Sequence, residues 1–308
     1  MIDAYAHVGL PRFQTVARYR VLMDSVGIRQ AVLCSFDSSP DLAAIHAAFT
    51  AAPLKFRGIG VPLGRDRTEM EAGCRAQLAA GFSGLRLTEA DVAERPWLLD
   101  IVAQAEAVAI VVGQVSSPSC ARALASHLAR AEALRIVGGH FAGMGHPRAL
   151  ADGAAAELFA HPRFHVTFSR HGGYPEAALR DWAEAVIART GWGRVTWGSE
   201  APVLFLRDET LPSAVAWIDR LAPTEPERAA FFEANARALY FDRAIVPAPL
   251  ALLFDPAARA RSQTSTLWPN GLPIDQALAG RLLDAWLGEG TPGTLGAFVE
   301  KLLDRVLA

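Results

Sequence analysis

Imidazole, carboxylate and guanidinium groups recur at the ends of short apolar segments along this chain. His7 closes the first segment and Arg86 stands near the end of the fourth. Gln114 stands at the end of the fifth, and His140 ends the sixth. Ser169 and Arg170 end the seventh with His171 directly after them, and Glu200 ends the eighth. Two imidazoles and a carboxylate could hold a divalent ion with one open position, and such an ion lowers the pKa of its bound water to about 7. The same groups could also act without a metal. The carboxylate would then be a general base, and the imidazoles would polarise a carbonyl and hold the developing oxyanion. The guanidinium fork of Arg86 suits a carboxylate or a polarised carbonyl. Tyr5 stands two residues before His7, so on a strand the two face the same side.

The elements that would position these groups are eight apolar runs alternating with helical stretches. The runs are Ile2–His7, Gln30–Phe36, Phe56–Leu63, Phe82–Leu87, Ala109–Val115, Leu134–His140, Phe164–Arg170 and Val195–Glu200. Several are apolar on both faces, as expected for a parallel sheet covered by helices. Between them lie amphipathic stretches at Phe13–Val26, Asp41–Ala51, Arg67–Ala80, Trp97–Ala107, Pro118–Glu132 and Pro175–Thr190. Pro118 and Pro175 mark helix starts, and Gly27, Gly81 and Gly191 mark helix ends. Eight strand–helix units predict an α/β protein, a closed (β/α)8 TIM barrel, more than an open doubly wound sheet. No Gly-rich phosphate loop follows a strand, because Gly58-Ile59-Gly60 lies inside one, so no nucleotide cofactor is expected. In such a barrel the reactive groups gather at the C-terminal ends of the strands. The groups named above stand there.

These segments resemble the amidohydrolase superfamily, in its amidohydrolase-2 branch. Ile2-Asp3-Ala4-Tyr5-Ala6-His7-Val8-Gly9 is similar to the branch's opening Ile-Asp-x-His-x-His-x-Gly. Gly84-Leu85-Arg86-Leu87, the strand ending in His140, Thr167-Phe168-Ser169, Trp197-Gly198-Ser199-Glu200-Ala201-Pro202 and Asn235-Ala236-Arg237-Ala238-Leu239-Tyr240 follow in the branch's order over residues 1–241. The branch holds decarboxylases related to aminocarboxymuconate-semialdehyde decarboxylase. It also holds lactonases acting on sugar lactones and 2-pyrone-4,6-dicarboxylate. The resemblance therefore implies a lactonase-like hydrolase of a small cyclic ester or amide, with a non-oxidative decarboxylase as the alternative. A non-catalytic accessory barrel is a third reading.

Two positions depart from the pattern: Tyr5 stands for the first histidine and Glu200 for the usual aspartate. The expected catalytic set is Glu200, His140, His7 and His171, with Arg86, Tyr5, Gln114, Ser169 and Arg170 at the substrate. If a metal is bound, zinc or manganese would take His7, His140 and Glu200, with His171 or His146 as a further nitrogen donor. A binuclear centre bridged by a modified lysine is not expected, because Lys55 precedes a strand and Lys301 lies near the C-terminus. Ser169 lacks the Gly-x-Ser-x-Gly setting of a nucleophile. His46, His127, His161 and His165 fall on helices or at strand starts and read as packing or surface residues.

The bulk properties agree with a soluble enzyme of this kind. The chain has 308 residues, of which 51% are hydrophobic, and a formal net charge of −2. That balance gives no case for nucleic acid or anionic membrane as a partner and leaves a small molecule. Cys34, Cys74 and Cys120 are widely spaced, which argues for a reducing compartment over a disulfide framework. No signal peptide and no apolar run near the ~20 residues of a membrane helix is evident, so a cytoplasmic location is expected. The barrel domain is expected over 1–244, with a C-terminal helical extension over 245–308. Its helices, expected at Pro273–Leu287 and Pro292–Leu307, are apolar enough to make a homodimer reasonable.

Overall fold

The computed structural model describes residues 1–9, 12–36, 40–151, 153–207, 209–251, 265–267, 273–290 and 295–307. Eight strands form one sheet in sequence order: β1 (Ile2–His7), β2 (Gln30–Cys34), β3 (Phe56–Gly60), β4 (Gly84–Thr88), β5 (Val108–Val112), β6 (Arg135–Gly138), β7 (Phe164–Phe168) and β8 (Val195–Trp197). All neighbouring pairs are parallel. The helices between them are α1 (Val16–Val26), α2 (Leu42–Ala51), α3 (Arg67–Ala79), α4 (Glu89–Glu94), α5 (Trp97–Gln104), α6 (Pro118–Arg130), α7 (Gly153–Ala160) and α8 (Glu176–Thr190). The expected (β/α)8 barrel is the fold.

Local chemistry sets these helices. The side chains of Thr15, Asp41 and Asp66 accept from backbone N–H groups in the first turns of α1, α2 and α3, satisfying donors that the helix leaves open. Gly27 ends α1 in the left-handed conformation, at φ 74°. The short helix α4 was not expected. It forms because Thr88 and Asp91 close a capping box directly after β4.

Apolar side chains divide into two layers. Ile2, Tyr5, Val32, Ile59, Ile110 and Val137 fill the inside of the barrel, closed at its lower end by Leu239 and Tyr240. A larger layer, including Leu33, Phe49, Leu85, Phe164 and Trp182, packs the strands against the helices. Buried Arg57 on β3 donates to the carbonyls of Tyr240 and Phe241, which ties the lower end to the last helical turns. Those turns run from Glu225 to Phe241 and include π-type turns at Ala230–Ala234 and Arg237–Phe241.

Beyond this point, Ser265–Leu267 and Pro273–Asp275 pair antiparallel, and helices span Gln276–Gly288 and Leu295–Leu307. The helix expected from Pro273 therefore starts three residues later. Pro273 opens a strand, a position that tolerates its missing N–H. Residues 291–294, where the last helix was expected to begin, lie outside the described residues. No helix among the described residues is long and apolar enough to cross a membrane.

Candidate functional site

The seam between β1 and the end of β8 brings the candidate groups together. Glu200 N donates to Tyr5 O at 2.8 Å, and His7 N donates to Ala201 O at 2.7 Å. The backbone bonds that close the barrel thus belong to residues whose side chains carry the proposed chemistry. The pairing of β1 with β2 shifts register between Asp3 and Ala6. Such a bulge re-aims side chains. Here Tyr5 joins the barrel interior, whereas Asp3 meets α1 and the end of β8. Asp3 Oδ1 accepts from Tyr5 N at 3.1 Å and Ser199 N at 2.9 Å. Its Oδ2 accepts from Tyr19 OH at 2.6 Å and from the Ser199 hydroxyl. Gly198 is required by crowding: a Cβ there would lie 2.7 Å from Tyr5 Cβ and 2.9 Å from Thr167 Cγ2.

Three strands end in left-handed backbone at non-glycine residues. After β6, His140, Phe141 and Ala142 have φ of 53°, 59° and 60°, and Arg170 after β7 and Glu200 after β8 have 67° and 57°. The strands expected to reach His140, Arg170 and Glu200 stop two or three residues earlier for this reason. Each such residue costs on the order of 1 kcal/mol and persists only where its surroundings over-determine it. The turn swings these side chains toward the mouth of the barrel instead of continuing the pleat.

Tyr5, His7 and His140 pack as a cluster. The tyrosine ring stands edge-on to both imidazoles, with centroids 5.0 Å away in each case. His7 Nδ1 lies 3.2 Å from Cys34 O. A carbonyl only accepts, so Nδ1 carries the proton and the buried, unpartnered Nε2 holds a lone pair. His140 Nδ1 lies 3.0 Å from Ser169 Oγ, and its Nε2 lies 3.6 Å from Glu200 Oε1. Ser169 thus orients the histidine. Arg86 Nε donates to Tyr5 OH at 2.8 Å, and its guanidinium lies over the Phe36 ring at 4.6 Å. Phe13 stacks on His7 at 4.8 Å and closes the other side.

Burial sets the protonation states. It lowers His7 to about 3, with the positive charge of Arg86 adding to the effect against Glu200. It lowers His140 to about 4 in the same way. Both rings are therefore neutral at neutral pH. Burial also opposes charge on Glu200, but the positive charges that His140 and His7 carry once protonated, together with that of Arg207, outweigh it and hold the carboxylate below its usual range. At neutral pH the persistent cation among these is Arg207, whose Nη2 donates to Glu200 Oε2 at 2.6 Å. Burial raises the Tyr5 phenol, so it stays a neutral hydrogen-bond donor.

The other expected residues are placed differently. His171 is buried against Phe141 and Trp217, with Nδ1 3.6 Å from Glu209 Oε1. It is linked to the cluster through Glu209 and Arg207, which lie 3.3 Å apart. Gln114 gives its amide to Ser116 Oγ and to the carbonyls of Gly143 and Met144, so it braces the β6 loop. Arg170 is exposed and contributes positive charge near His140 and Glu200. His146 is exposed and accepts from Arg148 N. His46, His127, His161 and His165 lie on or beside helices or within β7, away from the cluster. Sequence reasoning missed Arg207, Glu209 and Asp3. The first two follow β8, where the rule about strand ends already pointed.

A divalent metal is poorly served by this arrangement. Tyr5, at the position of a family histidine, has a guanidinium on its oxygen, and one oxygen of Glu200 is committed to a second guanidinium. Among the described residues, no group of three or more His, Cys, Asp or Glu side chains is placed to hold a metal ion. The orphaned Nε2 of His7 is better matched by a hydroxyl or water that donates to it.

Comparison with known proteins agrees with this architecture. A family model described as Amidohydrolase, of the amidohydrolase-2 type, matches residues 3–241. The chain belongs to the amidohydrolase-2 family. No curated protein matches it. Among solved structures, a candidate 2-pyrone-4,6-dicarboxylic acid hydrolase from Pseudomonas putida is 25% identical, with a TM-score of 0.61 over 77% of this chain and 96% of that one. An amidohydrolase from Burkholderia multivorans with bound zinc is 17% identical, with a TM-score of 0.60 over 77% and 98%. The 2,6-dihydroxybenzoate decarboxylase of Rhizobium is 16% identical, with a TM-score of 0.55 over 77% and 97%. The last two show the shared fold.

Proposed function

We propose that this amidohydrolase-2 protein is a lactonase-like hydrolase that opens a small cyclic ester, with Glu200 as the general base and without a metal. The observation that carries this reading is the state of Glu200. It is a buried carboxylate held ionised by Arg207 on one oxygen, with the other facing two neutral imidazoles. Water would bind between Glu200 Oε1 and the His7 Nε2 lone pair. As water oxygen bonds to the lactone carbonyl carbon, its proton passes to Glu200. Tyr5 OH, polarised by Arg86, and His140 Nε2–H then donate to the oxyanion. Collapse breaks the ring C–O bond, and the proton on Glu200 moves to the leaving alkoxide, giving an open hydroxy acid. Exposed Arg170 would meet a substrate carboxylate.

A decarboxylase has equal support from the family and the structural neighbours. It needs a firmly held metal to grip the substrate carboxylate and the oxygen beside it, and the two guanidiniums occupy the positions that would have to supply donors. A panel of lactones and aromatic acids, assayed with and without EDTA, separates the readings. Lactone turnover that survives EDTA, in protein carrying well under one metal per chain, is the expected result. Release of CO₂ that requires added zinc or manganese would replace this reading with the decarboxylase.

The pH profile is a second check. Activity needs Glu200 ionised and His7 and His140 neutral, and all three states persist well into acid. The value of kcat/KM should stay flat from neutral pH down to about 5 and fall below that as these groups take up protons. An inflection near the ordinary histidine value of about 6.5 would contradict the neutral, buried imidazoles.

A further inference from the structure

The turn between Glu200 and Arg207 is short and held by backbone hydrogen bonds. Glu200 O accepts from Val203 N at 2.8 Å and Leu204 N at 3.3 Å, Pro202 O from Phe205 N at 3.0 Å, and Leu204 O from Arg207 N at 3.0 Å. A shift of any part of this turn moves both members of the Glu200–Arg207 ion pair. Its apolar anchor is Phe205, which is fully buried. One wall of Phe205 is incomplete: a cavity of about 190 Å³ lies beside it, lined also by Leu22, Val26, Leu211 and Pro212. The indole of Trp286 lines the same cavity and packs edge-on to Phe205, with ring centroids 4.4 Å apart. Trp286 is 1% exposed, although its neighbours Asp284 and Ala285 face solvent. Asp284 pairs with Arg18 on α1 and fixes the helix against the barrel. Leu295 and Phe298 of the last helix are buried in the same layer.

We infer that the Gln276–Gly288 helix positions the candidate base, with Trp286 holding Phe205 and so fixing the turn that carries Glu200 and Arg207. The family match ends at residue 241, so this helix lies beyond it. The inference rests on the reading of Glu200 as the base. Trp286 touches no reacting atom and acts only through Phe205. Without the indole, Phe205 can settle into the neighbouring cavity, and Arg207 withdraws from Glu200.

Hydrogen exchange of the full chain, wild type against Trp286→Ala and Trp286→Phe, tests this independently of turnover. The alanine variant should speed exchange of the amides of Val203, Leu204, Phe205 and Arg207 by about tenfold or more, with β5 amides unchanged, and Trp286→Phe should restore protection. If the alanine variant does not fold, Trp286→Leu takes its place. On a turned-over lactone, the alanine variant should lower kcat by about tenfold or more with little change in KM, and its acid limb should move to higher pH. Unchanged exchange at 203–207, or a rise spread equally over the barrel, overturns the inference. So does a lowered kcat with the acid limb unmoved. If the wild type opens no lactone, the proposed function fails while the exchange comparison still decides the role of Trp286.

Discussion

Glu200→Gln should lower kcat by about a thousandfold, within the range of a lost general base, while the protein keeps its fold. Glutamine has nearly the same shape, and its carbonyl oxygen can still accept from Arg207, which also retains Glu209 at 3.3 Å. What glutamine cannot do is take a proton from water. Circular dichroism and a thermal melt would show that the fold survives, and steady-state kinetics on the best lactone would give the loss. The KM should change little, because the carboxylate acts on water and not on the substrate. An accessory barrel with no chemistry of its own predicts no change at all. A loss smaller than about tenfold would remove Glu200 from the role of base, since positioned bases contribute at least 10²-fold.

The second large effect is on stability. Asp3→Ala removes the shared acceptor of Tyr5 N, Ser199 N, the Ser199 hydroxyl and Tyr19 OH, all at a buried seam. Each donor left unpaired in the interior costs about 1–3 kcal/mol, and partial relaxation brings the expected total to about 4 kcal/mol. Urea unfolding should show a large drop in midpoint with an unchanged slope. Asp3→Asn should cost less, because its carbonyl still serves the two backbone donors and the two hydroxyls can turn to accept from the new amide. Equal midpoints for wild type and Asp3→Ala would mean that Asp3 does not hold the seam.

Much of this was legible in the sequence because burial leaves a plain record. Each strand of the barrel is covered on both faces, so the strands Val108–Val112 and Phe164–Phe168 were legible as the short runs Ala109–Val115 and Phe164–Arg170. Prolines at helix starts and glycines at helix ends marked several of the helices between them. The strand ends were less legible. His140, Arg170 and Glu200 leave the pleat through left-handed backbone, and nothing in their side chains announces this, since none is glycine. Partner choice was hidden for a related reason. His171 and Gln114 stand after strand ends as expected, but Glu209 and the β6 loop take up their polar atoms. Arg207 and Asp3 work through specific polar contacts, Arg207 with Glu200 and Glu209 and Asp3 with Tyr19 and Ser199, which periodicity does not reveal. The start of the helix after Pro273 was obscured because the proline pairs in a strand before the first turn.

The seam bonds between Tyr5 and Glu200 and between His7 and Ala201 join residues nearly two hundred positions apart in sequence. Contacts of such separation carry the largest loop-closure cost and form late on average. The reactive constellation therefore comes into being with ring closure and not before it. A chain that has assembled β1 to β7 but not docked β8 already has a core, yet Glu200, the proposed base, is far from the imidazoles. Recovery of turnover after dilution from denaturant should lag the recovery of helical signal and report the docking of the final strand. A half-built barrel would be inert instead of indiscriminately reactive, a built-in safeguard during synthesis from the N-terminus.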